Sequence, residues 1–237
     1  MSRLTSTSTT NFPHANKYHQ FHANSFHFSP FEIHVNNQSN FAIMNLNPLA
    51  LLLLLVAFAL VDAYYTLTVF APKVPQIHAR VINARNKAFI IGASQPSTFC
   101  GLDNATECPD GTSTQVNENM TGLAAAVPGG QFIFVAPDGM ISYPSPHSAL
   151  RPPGSQMGGF HPAHVVSDCK MPVTILMWSP ENGSPGLWAC PTARNVRVSK
   201  EAVLKATTGL FKGKGCLKVE GVEIQTAGDK FAAWAYT

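Results

Sequence analysis

Short runs of alternating apolar and polar residues recur through the C-terminal part of the chain. In the first run, Tyr65, Leu67 and Val69 alternate with two threonines, which is the pattern of a strand with one buried face. Similar short runs lie at 88–93, 131–136, 140–143, 173–178, 195–198, 216–219 and 231–236. They predict an all-β fold, a mainly antiparallel sandwich or barrel.

The clearest hairpin signal lies around Asp138-Gly139. The apolar runs 132–135 and 140–143 are separated only by a Pro-Asp-Gly turn. Glycine adopts the positive φ that a tight turn between twisted strands requires, so these runs are predicted to pair. A second turn is predicted at Glu220-Gly221, between two further strand-like runs.

One segment, 199–207, has a helical pattern. Ser199 would be its N-cap, with Ala202, Val203 and Ala206 on one side. We therefore expect one short helix here, or alternatively a turn-rich connection.

An uninterrupted apolar run at 49–60 predicts the compartment of the protein. It contains no charged residue and is well short of the roughly 20 residues that span a bilayer, as in the hydrophobic region of a signal peptide. Compact residues at Val61 and Ala63 then suit cleavage between Ala63 and Tyr64. We therefore expect a signal peptide at 44–63 and one secreted domain at 64–237, with no stable membrane span in the mature form.

Residues 1–43 precede this signal. They are rich in Asn, Ser, Thr, Phe and His, and they have no sustained period of 2 or 3.6. We expect a disordered, low-complexity extension, and we favour Met44 as the natural start, with 1–43 an artefact of the gene prediction. There are two alternatives. One is a transit peptide, and the other is a signal anchor, which would give a type II membrane-anchored surface protein.

The composition argues against several partners and cofactors. Charged residues make up 12% of the chain and the net charge is only +3, so no basic footprint for nucleic acid is expected. The 17 Gly and 18 Pro suit many turns between short strands. No cofactor motif is present, and the histidines before Met44 do not predict a metal site because zinc requires converging ligands on a folded scaffold.

All five cysteines follow the predicted cleavage point, which agrees with export to an oxidising compartment. The sequence leaves their connectivity open. We favour a short Cys100–Cys108 loop and a Cys190–Cys216 bridge between strands. Cys169 is then unpaired, either as a small buried side chain or as a reactive thiol.

Three N-glycosylation sequons lie in polar, turn-prone surroundings of the predicted mature domain. Their acceptors are Asn104, Asn119 and Asn182, and none of the sequons has Pro at its middle position. They predict a secreted glycoprotein.

Several short sequence motifs follow one another in a distinctive order along the predicted mature domain. The longest is Pro-Gly-Gly-Gln-Phe-Ile-Phe-Val-Ala-Pro-Asp-Gly at 128–139. The others lie at 81–84, 88–92, 96–100, 142–149, 152–155, 158–160, 188–191 and 234–236. Together they resemble the small secreted fungal IgE-binding proteins, which are similar in turn to the cell wall protein phiA group. The resemblance covers most of 64–237 and none of 1–43.

This resemblance implies a mostly β, non-enzymatic extracellular protein of the fungal wall or culture fluid. Its implied partners are cell-wall polysaccharide and, in some members, a host antibody. The chain departs from the family pattern after Cys190-Pro191, where the charged segment 194–201 replaces an aromatic, strand-like one. The three tryptophans are expected mainly in the core rather than in contact with polysaccharide, and are Trp178, Trp188 and Trp234.

A wall-modifying hydrolase is the alternative function. His147 lies close in sequence to Asp138, Ser145 and Ser148, but no Gly-x-Ser-x-Gly motif is present, and proximity in sequence does not make a triad. Asp168 and Glu181 would be a glycosidase pair only if folding brought them together across a cleft. We therefore expect no catalytic residues.

A metal site is the remaining chemical hypothesis. His161, His164 and Cys169 supply three potential ligands with no evident fourth, so no metal is predicted.

Overall fold

The computed structural model describes residues 63–166, 171–192 and 201–237. In these ranges all the strand ladders are antiparallel, and the helical structure is one 3₁₀ turn at Ala105–Glu107. The predicted all-β fold is confirmed. The strands are β1 Tyr64–Phe70, β2 Ile82–Arg85, β3 Ala88–Ile91, β4 Thr98–Phe99, β5 Gln115–Val116, β6 Gly122–Leu123, β7 Gln131–Phe132, β8 Phe134–Val135, β9 Ile141–Ser142, β10 Gln156–Met157, β11 Phe160–Val166, β12 Pro172–Trp178, β13 Leu187–Pro191, β14 Ala202–Ala206, β15 Leu217–Val219, β16 Gly221–Gly228 and β17 Ala235–Tyr236.

The largest sheet has seven strands in the order β11-β12-β16-β1-β5-β6-β7. Its β1 has the alternation that the sequence predicts, because Leu67 and Val69 are fully buried while Thr66 and Thr68 are only half-buried. Along most of its length β1 pairs with β16, with Leu67 opposite Ile224. The N-terminal strand of the described fold is thus held in the middle of the sheet.

A second sheet has five strands in the order β15-β13-β14-β3-β2. Most of its buried side chains join those of the seven-stranded sheet in the main hydrophobic core, while Ala88 and Ile90 of β3 form a smaller cluster with Ala93. The β2–β3 connection is a two-residue turn at Asn86 and Lys87, with φ values of 53° and 59°. Two consecutive positive φ values give the turn the twist that a tight hairpin needs.

The predicted hairpin at Asp138-Gly139 is confirmed. β8 and β9 pair with each other, and β10 extends them to a three-stranded sheet. Gly139 has a φ of 84° and its N–H donates to Ala136 O at 2.8 Å, while the Ala136 N–H donates to Met140 O at 2.8 Å. The Ala206 N–H donates to Gly139 O, which ties this hairpin to β14.

The predicted helix at 199–207 is wrong where the structure describes it. Residues 202–206 form β14, which lies between β13 and β3. Ala202, Leu204 and Ala206 are buried, whereas Val203 and Lys205 are only half-buried. Burial therefore repeats every 2 residues, as in a strand, and not every 3.6 residues, as in a helix. The proposed N-cap, Ser199, lies outside the described residues.

The predicted turn at Glu220-Gly221 does not close a hairpin. β15 pairs with β13 in the five-stranded sheet, whereas β16 pairs with β1 and β12 in the seven-stranded sheet. The Glu220 N–H donates to Phe70 O at 3.1 Å. This short link therefore carries the chain from one sheet to the other.

Several predictions fall on residues outside the described ranges. These are the extension at 1–43, nearly all of the signal peptide at 44–63 and the strand at 195–198. The domain boundaries at 43 and 63 accordingly stay predictions. Within the described ranges, no helix has the length and apolar character needed to cross a membrane.

Candidate functional site

A groove of about 660 Å³ opens beside the β8–β9 hairpin. We call it the hairpin groove; its walls come from the hairpin, the loop at 143–152, Lys87 and Leu210. Phe134, Met140 and Tyr143 give it a mainly apolar lining. Its volume lies in the range of small-molecule sites, which is roughly 300–1,000 Å³.

Tyr143 is a buried lining residue of the groove. Its side chain is only 1% exposed, and its ring packs edge-on against the rings of Phe89 and Tyr236. Its hydroxyl donates to Thr237 O at 3.1 Å. Burial raises the pKa of the Tyr143 phenol well above its ordinary value, so this group stays neutral and acts as structure.

Gln131 fixes the start of the loop that forms the outer wall. Its buried amide Nε2 donates to Pro144 O at 2.9 Å and to Tyr236 O at 2.8 Å. Its Oε1 accepts from the Tyr236 N–H at 2.7 Å. Because every amide hydrogen bond reaches main chain, the loop is held to the C-terminal strand at a defined position.

Two charged residues, Asp138 and Lys87, line the groove. At the hairpin tip, Asp138 Oδ2 lies 3.3 Å from Lys205 Nζ, and Asp138 Oδ1 accepts from the Met140 N–H. In the β2–β3 turn, Lys87 O accepts from Ser142 Oγ at 2.6 Å. The Lys87 side chain is exposed, and its ammonium has no ion-pair partner among the described residues.

The rim of the groove carries two exposed leucines. Leu150 is 84% exposed and Leu210 is 82% exposed. Both line the groove from opposite connections, one after β9 and one after β14. Exposed apolar side chains gathered at the mouth of an apolar groove are typical of a binding surface.

A secreted fungal protein is similar in sequence to about two thirds of this chain. An uncharacterized secreted protein of Arthroderma benhamiae is 32% identical over 160 residues, which are 66% of this chain and 77% of the relative. The chain belongs to this secreted fungal family. No protein-family model matches it, and neither does any solved structure.

The disulfide arrangement suits a member of a secreted family. The structure joins Cys100 to Cys108 and Cys190 to Cys216, the two pairs that the sequence analysis favours. The first bond closes a loop around the 3₁₀ turn, and the second ties β13 to the segment that leads into β15. Cys169 lies outside the described residues, so its role stays open to test.

The three predicted glycan acceptors are all exposed, and each lies in a turn or loop. Asn104 caps the 3₁₀ turn, where its Oδ1 accepts from both N–H and Oγ1 of Thr106. Asn119 lies in the β5–β6 connection and Asn182 in the β12–β13 connection. Their glycosylation in this secreted family stays a prediction.

The predicted cleavage point adjoins the first strand. β1 begins at Tyr64, directly after Ala63. Cleavage between these two residues would release the chain with its first strand intact, and it stays a prediction.

Among the residues considered for hydrolysis, the described ones form no hydrogen-bonded triad. The His147 ring is exposed and lies 6.0 Å from the Trp234 ring, and among the described residues no hydrogen bond joins it to Asp138 or Ser145. Glu181 is exposed, while Asp168 lies outside the described residues.

Two of the three potential metal ligands lie in the described part of the chain, and Cys169 lies outside it. His161 and His164 lie on β11, and His164 Nδ1 is 3.1 Å from Thr174 Oγ1. In the described part of the chain no three His, Cys, Asp or Glu side chains cluster as metal ligands would.

The tryptophans lie mainly in or against the core. Trp178 is 1% exposed and its Nε1 donates to Thr207 O at 2.8 Å. Trp188 is half-buried and donates to Thr207 Oγ1 at 2.9 Å. Trp234 is also half-buried, with its ring 5.7 Å from that of Phe99.

Sequence reasoning missed the hairpin groove and the position of Lys87. One signal was present, because Asn86-Lys87 separates two short apolar runs that a two-residue turn would pair. The contact between Lys87 and Ser142 joins residues 55 positions apart, and no local pattern predicts it.

Proposed function

We propose that this protein acts without catalysis, as a secreted interaction protein of the fungal surface that binds its ligand in the hairpin groove. The observation that carries this proposal is a mainly apolar groove of about 660 Å³ whose lining includes the buried, neutral Tyr143. A preformed apolar site with a few polar groups at its edges is typical of ligand binding.

The groove chemistry favours binding over hydrolysis. Asp138 is the one carboxylate among the described lining residues, and Lys205 already neutralises it. Glycoside hydrolysis ordinarily uses two carboxyl groups on either side of the scissile bond. A nucleophile–base pair is equally missing from the described lining, because the lining contains serines but no histidine.

Association with the cell wall and recognition by host IgE are the finer parts of the proposal. They rest on the resemblance of 128–139 and its companion stretches to the fungal IgE-binding and phiA-like proteins. The hairpin that ends this stretch presents Asp138 at its exposed tip, where an antibody has access.

Binding of the neutral, environment-sensitive dye Nile red to the mature protein tests the proposal. The unmodified protein should enhance the dye fluorescence, and Leu210→Asp should abolish the enhancement by placing a charge at the groove mouth. Val166→Asp is the matched control, because Val166 is also highly exposed but lies on β11, away from the groove lining.

Three results would overturn the proposal. The first two are the absence of dye binding by the unmodified protein and equal binding by Leu210→Asp. The third is release of reducing sugars from purified fungal wall polysaccharide, which would establish the hydrolase alternative.

A further inference from the structure

Lys87 gives the hairpin groove a positively charged lining residue with no carboxylate partner among the described residues. Ser142 Oγ donates to Lys87 O, so the β2–β3 turn is attached at the open end of the hairpin. Asp138 lies at the hairpin tip, beyond the two strand positions from Ser142 to Met140, which alone span about 7 Å. Because Lys205 neutralises Asp138 and no described carboxylate pairs with Lys87, the groove favours a ligand with one negative charge near Lys87.

The rest of the groove suits an apolar body. Phe134, Ala136, Met140 and Pro152 contribute to its walls. Removal of apolar surface from water would supply the main driving force for binding.

The same walls offer few free hydrogen-bonding groups to a sugar. The Ser142 hydroxyl already donates to Lys87 O, and the Ser148 hydroxyl already accepts from the Leu150 N–H. A polyhydroxylated ligand would leave most of its buried hydroxyl groups without partners, at a cost for each. Any contact with wall polysaccharide is therefore expected on another surface.

We infer that the hairpin groove binds an amphipathic monocarboxylate, with its unbranched apolar chain along the hairpin and its carboxylate beside the Lys87 ammonium. This inference rests on the proposed function, since it names the ligand class of the same site. The apolar chain provides most of the affinity, and Lys87 selects the charged head over a neutral one.

Displacement of Nile red by dodecanoate and by its methyl ester tests the inference, because the two share their chain and differ in charge. Dodecanoate should bind the unmodified protein about two- to fivefold more tightly than the ester, as expected for an exposed ion pair. Lys87→Met keeps an unbranched side chain and should remove this preference for the carboxylate.

Lys218→Met is the matched control. Lys218 is also exposed, but it lies on β15 and outside the groove lining, so this variant should keep the preference for the carboxylate. The unmodified protein provides a test that does not depend on the folding of any variant. Its preference should weaken as NaCl rises from about 0.02 to about 0.5 M, because salt screens an exposed pair.

The outcomes distinguish failure of the monocarboxylate inference from failure of the proposed function. Equal displacement by acid and ester, with no effect of salt or of Lys87→Met, would overturn the monocarboxylate inference and leave the apolar binding site intact. Failure of Nile red to bind at all would overturn the proposed function itself.

Discussion

Replacing Gly139 with valine should destabilise the domain through two separate effects. Gly139 has a φ of 84°, a conformation that a β-branched residue adopts only with strain of about 1–3 kcal/mol. A Cβ atom there would also lie 2.5 Å from Phe211 Cδ1 and 2.6 Å from Ala206 O. The Ala206 main chain cannot retreat freely, because its N–H donates to Gly139 O at 2.8 Å.

Gly129→Val separates these two effects. Gly129 has nearly the same φ, 87°, but a Cβ there would have no atom within 4 Å. Gly129→Val should therefore lose only the stability that backbone strain costs, about 1–3 kcal/mol. At Gly139 overpacking should cost about 1–3 kcal/mol more. One kcal/mol lowers the melting temperature by about 2–4 °C in a domain of this size, so Gly139→Val should melt about 2–12 °C below Gly129→Val.

Thermal unfolding of the mature domain, followed by circular dichroism in non-reducing buffer, measures this difference. Secretion yield is a second readout, because cells discard unstable chains. Equal melting temperatures for the two variants would refute the close contact between the hairpin and β14. If both variants melted like the unmodified protein, the positive-φ turns themselves would be in doubt.

Processing, bridging and ionisation give three further predictions. N-terminal sequencing of the secreted protein should begin at Tyr64, and a product that retains residues 41–43 would contradict cleavage after Ala63. Cys190→Ser opens a bond between residues 26 positions apart and should cost about 3 kcal/mol; an unchanged melting temperature in non-reducing buffer would contradict this. Burial raises the pKa of Tyr236 from 10.0 to about 12, so its neutral form stabilises the fold below pH 10 and this contribution disappears as the pH rises towards 12. Tyr236→Phe cannot ionise and should lose less stability than the unmodified protein over that window, whereas parallel pH curves would refute the assignment.

Local patterns in the sequence predict much of this fold. The alternation around Leu67 and Val69 predicts β1, and the Asp138-Gly139 turn predicts the β8–β9 hairpin, because each depends on neighbouring residues alone. At 202–206 the same reasoning fails. Ala202, Val203 and Ala206 fit one side of a helix, yet pairing with β13 and β3 imposes an alternating burial that propensity does not reveal.

The candidate site is less predictable than the fold. Lys87 approaches Ser142 only because the five-stranded and three-stranded sheets pack together, and Leu210 reaches the same groove from a third part of the chain. No motif marks such a site, because its chemistry is an apolar surface with one unpaired charge rather than a set of reactive groups. Sequence reasoning therefore led to the compartment and the strands and stopped short of the groove.

The pairing of β1 with β16 has a kinetic consequence for export. Thr66 Oγ1 donates to Gln225 O across 159 residues, so β1 enters the secretory compartment long before its main partner is available. Until then its edge is open to pairing with other chains, and contacts this distant in sequence slow folding. We expect the nascent chain to depend on chaperones and disulfide exchange during this interval. Chains that end before residue 221 should be retained and degraded rather than secreted.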